Sequence, residues 1–324
     1  MNDANQPWSV FPEAFRERLA EIIPNDEFEN IISSLCARHP STFRANTLKI
    51  SADQLVEELK KLSIEVEPVS WYPNAFILKN VAQKVLSETT WYKEGYLYIQ
   101  SLSSMIPPLV LDPHPTERVL DLTAAPGSKT TQIAMMMKNS GEILANDISR
   151  VRMYKLDANL KMQGVTITKT MVRAGETIWK SYPEYFDKTL VDVPCSMEGR
   201  FYSEDPKTYE EWSIKKIREL EKKQHFLLRS AVSSTKPGGI IVYSTCTLAP
   251  EENEEVIDWI LKKEQGAVEV ETIHLPGVPF VKPLSSWKGK EFDSQVDDTA
   301  RILPSRHMEG FFVARLRKLR PTTV

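Results

Sequence analysis

The spacing of apolar residues divides the chain into three parts. Near the N-terminus apolar side chains recur at helical spacing until Pro40, which predicts a helical segment over residues 1–40. Residues 41–95 combine short strand-like runs with an amphipathic stretch that begins after Ser51, a good helix cap. We therefore predict a small α+β domain over residues 41–95 and a larger domain over residues 96–324.

In the larger domain, apolar strands alternate with amphipathic helices. Predicted strands cover residues 118–122, 142–147, 166–172, 186–193, 239–244, 267–274 and 310–316. Predicted helices cover residues 129–137, 150–162, 209–234 and 251–263. This alternation is typical of the α/β class with a doubly wound, mostly parallel sheet. Ligands bind beyond the carboxyl ends of the strands in such sheets, so we expect the functional residues there.

Composition narrows the class of protein. Hydrophobic residues make up 41% and charged residues 26% of the 324 positions, as in a globular protein with a sizeable core. No run of about 18 apolar residues occurs, which argues against a membrane association. Three widely spaced cysteines and the lack of a secretory signal favour reduced thiols in the cytoplasm. With a net charge of −3, any basic surface must come from local clusters.

A turn of small residues joins the first strand of the larger domain to its first helix. Such a turn lets the backbone approach a ligand closely, and the helix N-terminus offers free N–H groups. A phosphate-binding P-loop is excluded because Leu122 stands in place of its first glycine, and a dinucleotide fingerprint is excluded because the turn has one glycine. The candidate ligand-binding residues are Ala124, Ala125, Pro126, Gly127, Ser128, Lys129 and Thr130.

A carboxylate ends the next strand. Asp147 lies 20 residues after Gly127, where an acid suits the two hydroxyls of an adenosine ribose. Arg152 lies one turn into the helix that follows. We predict that both residues contribute to the same ligand site as the turn.

Two cysteines also follow strand ends. Asp192 and Cys195 lie three residues apart after the strand at 186–193, and Cys246 follows the strand at 239–244. A free cysteine is usually a small buried hydrophobe. Two of them beside an adenosine-type pocket instead indicate a reactive site.

With these motifs, the chain resembles the Nop/Sun-type RNA (cytosine-5) methyltransferases. The matching segments are 43–49, 100–107, 121–130, 147–152, 186–199 and 243–253. The resemblance implies a Rossmann-like methyltransferase domain, S-adenosylmethionine as cofactor, and RNA binding by the small N-terminal domain. It also implies an enzyme without a metal, and we expect a monomer.

The resemblance also implies roles for the site residues. Cys246 is expected to be the nucleophile that adds to carbon 6 of cytosine, which makes carbon 5 reactive. Asp192 is expected to hold the cytosine near its ring nitrogen 3 and to lie beside the cofactor, and Cys195 to assist release of the methylated base. The family usually carries an acid after the third strand. Here the stretch reads Val172-Arg-Ala-Gly-Glu176, so either Glu176 substitutes for that acid or the contact with adenine is lost.

The RNA substrate remains open between two classes. Residues 198–201 and 205–207 resemble the bacterial ribosomal members and favour ribosomal RNA. Transfer RNA is the alternative, because the chain ends before an additional domain that ribosomal members often carry. A non-catalytic RNA-binding assembly factor is a rival, although Cys246 is present, and a dehydrogenase is a weaker one. Candidate RNA-binding cations are Lys215, Lys216, Lys222, Lys223, Arg315, Arg317, Lys318 and Arg320.

Overall fold

The computed structural model describes residues 7–322, so residues 1–6 of the predicted helical segment and residues 323–324 lie outside the described part. The segment contains helices α1 (Glu13–Ile22) and α2 (Phe28–Leu35). Its aromatic side chains pack against the larger domain, with the ring of Phe15 centred 4.7 Å from that of Phe201. The segment is therefore attached to the larger domain by an apolar core.

The small domain is built around a four-stranded antiparallel sheet with the order β2-β3-β1-β4. Its elements are β1 (Thr42–Ala45), α3 (Ala52–Lys61), β2 (Val66–Pro68), β3 (Ala75–Leu78), α4 (Gln83–Glu88), α5 (Thr90–Lys93) and β4 (Leu97–Ile99). Ser51 caps α3 as predicted, in a reciprocal capping box with Gln54. Strand β4 pairs with β1, so this sheet extends past residue 95.

The larger domain is an α/β sandwich around one main sheet. Its elements are α6 (Leu102–Leu111), β5 (Arg118–Asp121), α7 (Ser128–Met136), β6 (Glu142–Asp147), α8 (Arg150–Gln163), β7 (Thr168–Val172), β8 (Phe186–Asp192), α9 (Ile214–Ser234), β9 (Thr235–Thr245), α10 (Glu254–Lys263), β10 (Val268–Glu271), β11 (Phe280–Val281), β12 (Ser286–Trp287), β13 (Lys290–Glu291), β14 (Ala300–Ile302) and β15 (Phe311–Lys318).

The main sheet confirms the predicted doubly wound fold. Its strands follow the order β11-β14-β15-β9-β8-β5-β6-β7, and β10 also pairs with β15. Strands β5 to β9 pair in parallel, whereas β15 runs antiparallel to β9. The reversal of strand order beside β5 places a crevice at the carboxyl ends of the parallel strands.

Central strands are apolar on both sides because both faces of the sheet are covered. In β8, Leu190 belongs to the core on the α6 side, and its neighbour Val191 belongs to the core under α9 and α10. Val242 and Tyr243 of β9 divide in the same way. This explains why these strands read as continuous apolar runs rather than as alternating ones.

Side chains determine where two of the elements begin or end. The helix predicted over residues 209–234 begins at Ile214, because Ser213 caps it by accepting a hydrogen bond from the backbone of Lys216. The first strand ends at Ala45, since the side chain of Asn46 turns the chain by donating to the carbonyls of Gly95 and Gln163. Across residues 7–322, no helix is long and apolar enough to cross a membrane.

Candidate active site

A cavity of about 940 Å³ lies at the carboxyl ends of β5, β6, β8 and β9. The structure brings most of the predicted site residues to its walls. They are Ala124, Ala125, Pro126, Ser128, Lys129, Asp147, Arg152, Asp192, Cys195 and Cys246. Glu176, in the 3-10 turn after β7, lines the same cavity. The remaining predicted residues, Gly127 and Thr130, lie behind this wall.

Gly127 and Thr130 shape the turn from behind. Gly127 has φ +105°, and a Cβ there would lie 2.6 Å from Cδ1 of Leu156, so only glycine fits against α8. Thr130 donates a 2.7 Å hydrogen bond from Oγ1 to the buried carboxylate of Asp121. Burial, assisted by the nearby charge of Asp192, raises the pKa of Asp121 to about 7.

Asp147, at the end of β6, forms another part of the cavity wall. Its carboxylate is buried and accepts hydrogen bonds from the backbone N–H groups of Ala125 and Ser149, at 3.3 and 2.9 Å. Arg152 pairs with Asp147 at 3.2 Å and also donates to the carbonyl of Ala125. Asn146 lines the cavity, and its buried Oδ1 has no hydrogen-bond partner in the described part of the chain. An unpartnered acceptor beside a carboxylate fits a ligand with hydroxyl or amino donors, such as adenosine.

Asp192 is fixed from two sides at the end of β8. Its Oδ2 accepts a 2.8 Å hydrogen bond from the ammonium of Lys129, and its Oδ1 accepts one of 2.8 Å from Ser244 Oγ. Lys129 is nearly buried and donates a further 2.8 Å hydrogen bond to Ser104. The carboxylate is therefore held in one orientation, with a cation beside it, at the cavity wall.

The thiols of Cys195 and Cys246 meet in the cavity. Their Sγ atoms are 3.3 Å apart, and neither forms a disulfide. The hydrogen bond between them, together with burial, raises the pKa of Cys195 well above its usual range. Cys195 is accordingly a neutral thiol at pH 7, and its proton is available to stabilise negative charge on Cys246.

A buried carboxyl supports the turn that carries Cys195. Glu252 accepts a 3.1 Å hydrogen bond from the backbone N–H of Ser196 and a 2.7 Å hydrogen bond from Gln224. Burial raises the pKa of Glu252 to about 8, despite these hydrogen bonds. The sequence marked Glu252 as part of a helix start but carried no sign that it is buried under the cysteine.

The small domain also contacts the turn between β5 and α7. Arg44 of β1 is fully buried, and its guanidinium donates hydrogen bonds to Ser128 O and to Thr131 Oγ1, at 3.2 and 2.6 Å. Its Nε donates to Gln100 at 2.9 Å. Burial lowers the pKa of Arg44 to about 10. These contacts fix the start of α7 against the small domain. Neither composition nor residue spacing in the sequence predicted them.

The two predicted cation clusters differ. Lys216 and Lys223 line the cavity, as do Arg38, Arg200 and Lys207, which were not among the candidate RNA-binding cations. In the C-terminal cluster, three of the four cations pair with carboxylates, and Arg320 is exposed and donates to the carbonyl of Gln265. Arg315 and Arg317 both pair with Glu271, and Lys318 is fully buried against Glu184. Burial removes Lys318 from any RNA surface, whereas Arg317 keeps part of its side chain exposed, so an RNA contact stays a prediction for Arg317 and Arg320.

The family model described as 16S rRNA methyltransferase RsmB/F matches residues 108–317. A second model, the N-terminal domain of 16S rRNA methyltransferase RsmF, matches residues 11–102. The chain belongs to the RsmB/F family. The predicted Nop/Sun resemblance is thereby confirmed. The two matched ranges include the turn, both cysteines and the small domain.

Relatives of this RsmB/F chain act on two kinds of RNA. The tRNA (cytosine(49)-C(5))-methyltransferase of Pyrococcus abyssi is 40% identical over 86% of this chain and 88% of that protein. The ribosomal RNA small subunit methyltransferase F of Erwinia tasmaniensis is 37% identical over 95% of this chain but only 64% of that protein. The chain thus spans less than two thirds of the latter relative.

A solved structure supports the fold and the cofactor class. NSun6 from Pyrococcus horikoshii with SFG, an S-adenosylmethionine analogue, superposes with a TM-score of 0.79 and 25% identity, covering 96% of this chain and 99% of that one. With the family match, this RsmB/F chain is an S-adenosylmethionine-dependent RNA (cytosine-5) methyltransferase. The dehydrogenase alternative is thereby excluded.

Proposed function

We propose that the chain methylates carbon 5 of a cytidine in ribosomal RNA through a covalent adduct with Cys246. The observation that carries the proposal is the 3.3 Å approach of the Cys195 and Cys246 sulfurs in the cavity that Asp192 also lines. Ribosomal RNA is preferred because the model of the RsmF N-terminal domain matches residues 11–102. We propose further that the chain acts as a cytoplasmic monomer without a metal.

The cofactor would lie between the turn and Asp147. Backbone N–H groups of the turn, the Asp147 carboxylate and the free Oδ1 of Asn146 offer partners for an adenosine and its ribose. When bound, S-adenosylmethionine supplies a methyl group on a positively charged sulfur. Glu176 lines the cavity and is the candidate for the missing acid near the adenine.

The first step forms a bond between Cys246 Sγ and carbon 6 of the cytosine. The Cys246 thiol proton leaves through solvent. The electron pair of the carbon 5–carbon 6 double bond shifts to the bond between carbons 4 and 5, and the displaced carbon 4–nitrogen 3 pair stays on ring nitrogen 3, which Asp192 holds and which takes up that proton. The Lys129 ammonium, 2.8 Å from Asp192, offsets the negative charge that develops there. Carbon 5 then takes the methyl group, and S-adenosylhomocysteine is the by-product.

Release of the product requires loss of the proton on carbon 5 and cleavage of the bond to Cys246. The hydrogen bond that raises the pKa of Cys195 runs to Cys246. Once Cys246 is bound to carbon, that hydrogen bond weakens, and Cys195 releases its proton to solvent, which accounts for the one proton that the overall methyl transfer produces. Cys195 then accepts the carbon 5 proton, and the electron pair of that carbon–hydrogen bond restores the carbon 5–carbon 6 double bond. Cys246 departs as a thiolate and recovers the proton from ring nitrogen 3.

The test compares three single variants on RNA isolated from cells that lack the gene. Cys246→Ala should form no 5-methylcytidine, measured by mass spectrometry of digested RNA. Cys195→Ala should accumulate a protein–RNA adduct that survives denaturing electrophoresis. Cys36→Ala removes the third cysteine, which does not line the cavity, and should behave as the wild type. Full activity of Cys246→Ala would overturn the covalent mechanism.

The choice of RNA needs a separate experiment. Bisulfite sequencing of ribosomal and transfer RNA, from cells with and without the gene, should show one ribosomal cytosine that loses protection. The 40% identity to the Pyrococcus abyssi enzyme makes transfer RNA the second candidate. Loss of protection in transfer RNA alone would replace ribosomal RNA by that candidate.

A further inference from the structure

A second cavity, of about 770 Å³, adjoins the candidate active site. It forms where the end of α2, strand β3 and the segment between β14 and β15 meet. Arg38, His39, Pro40 and His307 line both cavities, so the two spaces share a wall. A ligand that extends out of the active site at this wall enters the second cavity directly.

Cations line the rim of the second cavity. Arg38 and Arg306 are exposed, and neither forms an ion pair within residues 7–322. His39 and His307 are half-buried at the shared wall. The single acidic residue among the described lining is Glu27. A flexible guanidinium without a carboxylate partner is a ready donor to a phosphate.

The floor of this cavity is apolar. It is lined by Ile77, Leu78, Val281 and Leu303, together with Pro279 and Pro304. One wall is fixed by Ser34, which donates a 2.9 Å hydrogen bond to the carbonyl of Ser305 and lies 3.5 Å from His39. An apolar floor below a cationic rim suits a planar base that carries a phosphate, rather than a bare anion.

We propose that the second cavity binds the RNA nucleotide next to the target cytidine, with its phosphate on Arg38 and Arg306 and its base on the apolar floor. The proposal rests on the proposed function, because the target cytidine must occupy the adjoining cavity. A base that meets Cys246 must leave its stack, and its neighbour then needs a binding place of its own. Because the two cavities share a wall, the nucleotide next to the target cytidine in the RNA can occupy the second cavity.

The first test measures affinity for a fluorescent nine-nucleotide RNA with a single central cytidine, at several salt concentrations. The variant Arg38→Gln/Arg306→Gln should bind it at least tenfold more weakly. The slope of log affinity against log salt should shrink by about 0.7, the value for the loss of one phosphate contact to a single strand. Lys263→Gln is the matched control, because Lys263 is exposed, forms no ion pair in the described chain and lines neither cavity. Unchanged affinity in the double variant would overturn the proposal.

A second test locates the nucleotide. The same RNA carries 4-thiouridine beside the cytidine, and peptides cross-linked by light are identified by mass spectrometry. Cross-links to residues 38–40 or 303–307 support the proposal, and cross-links confined to other segments contradict it. Inorganic phosphate at millimolar concentration should not abolish the cross-link; if it does, the cavity is a site for a free anion.

These readouts are separate from methyl transfer. Titration of the double variant with S-adenosylhomocysteine should give wild-type affinity, which shows that the adjoining cavity is intact. If the wild type forms no 5-methylcytidine but still cross-links at residues 38–40 or 303–307, the proposed function fails while the RNA-binding cavity stands. If the wild type forms 5-methylcytidine but gives no cross-link at residues 38–40 or 303–307, the proposed RNA-binding role of the second cavity fails while the proposed function stands.

Discussion

The carboxyl of Glu252 makes the stability of this protein depend on pH. The side chain is completely buried beneath the turn of Cys195, and burial raises its pKa to about 8. In the unfolded chain the same group ionises near 4.5. Its neutral form therefore favours the folded state below about pH 4.5, and this contribution is lost as pH rises through about 8.

The size of the effect follows from the two pKa values. At 1.36 kcal/mol per pKa unit, the change from 4.5 to about 8 corresponds to about 5 kcal/mol, of which about 4 kcal/mol falls between pH 5 and 9. Glu252→Gln cannot ionise, yet it keeps one oxygen to accept the hydrogen bonds from Ser196 and Gln224. The variant should therefore lack this part of the pH dependence.

The assay is urea unfolding of the wild type and Glu252→Gln at pH 5, 7 and 9. The free energy of unfolding of the wild type, relative to the variant, should fall by about 4 kcal/mol from pH 5 to pH 9. Glu57→Gln, at an exposed position of α3, is the control and should run parallel to the wild type. A constant difference between the wild type and Glu252→Gln over this range would refute the reasoning.

Three further substitutions test the site and its supports. Gly127→Ala should destabilise the fold by about 1–3 kcal/mol and weaken S-adenosylhomocysteine binding in calorimetry, whereas Gly238→Ala, also at positive φ but with open space around it, should leave binding unchanged. Lys129→Met should lower kcat about 100-fold with cofactor affinity retained, because the cation beside Asp192 is lost; equal loss in both quantities would contradict this. Arg18→Met leaves the carboxylate of Glu251 buried without its 2.6 Å partner and should cost about 3–5 kcal/mol in thermal unfolding, with Arg18→Met/Glu251→Gln recovering part of it.

Much of the site could be predicted from the sequence because its residues follow strand ends. A parallel sheet gathers the carboxyl ends of its strands at one edge, so Asp147, Asp192, Cys195 and Cys246 could be placed together without coordinates. The strands themselves were readable since burial on both faces makes them continuous apolar runs. Residue chemistry and fold topology were therefore sufficient to predict both the strands and the residues at their ends.

The features that could not be predicted from the sequence are mainly buried polar residues. Lys318 and Arg44 look like surface cations in a one-dimensional pattern, yet both are completely buried and hydrogen-bonded. Helix α6 was missed because Pro107 and Pro108 lie inside it, and proline usually ends a helix. In each case tertiary packing outweighs the local preference of the residue, so no spacing rule could have found it.

The docking of the first helix has a consequence for synthesis on the ribosome. Phe15 and Arg18 of α1 are translated well before their partners Phe201, Glu251 and Trp287. At roughly 5–20 residues per second, the helix waits on the order of 15–50 s for the last of them. During that interval its apolar face is exposed on the nascent chain, where a chaperone can bind it. Helix α1 is thus translated long before Phe201, Glu251 and Trp287, and it is among the last elements to reach its native packing.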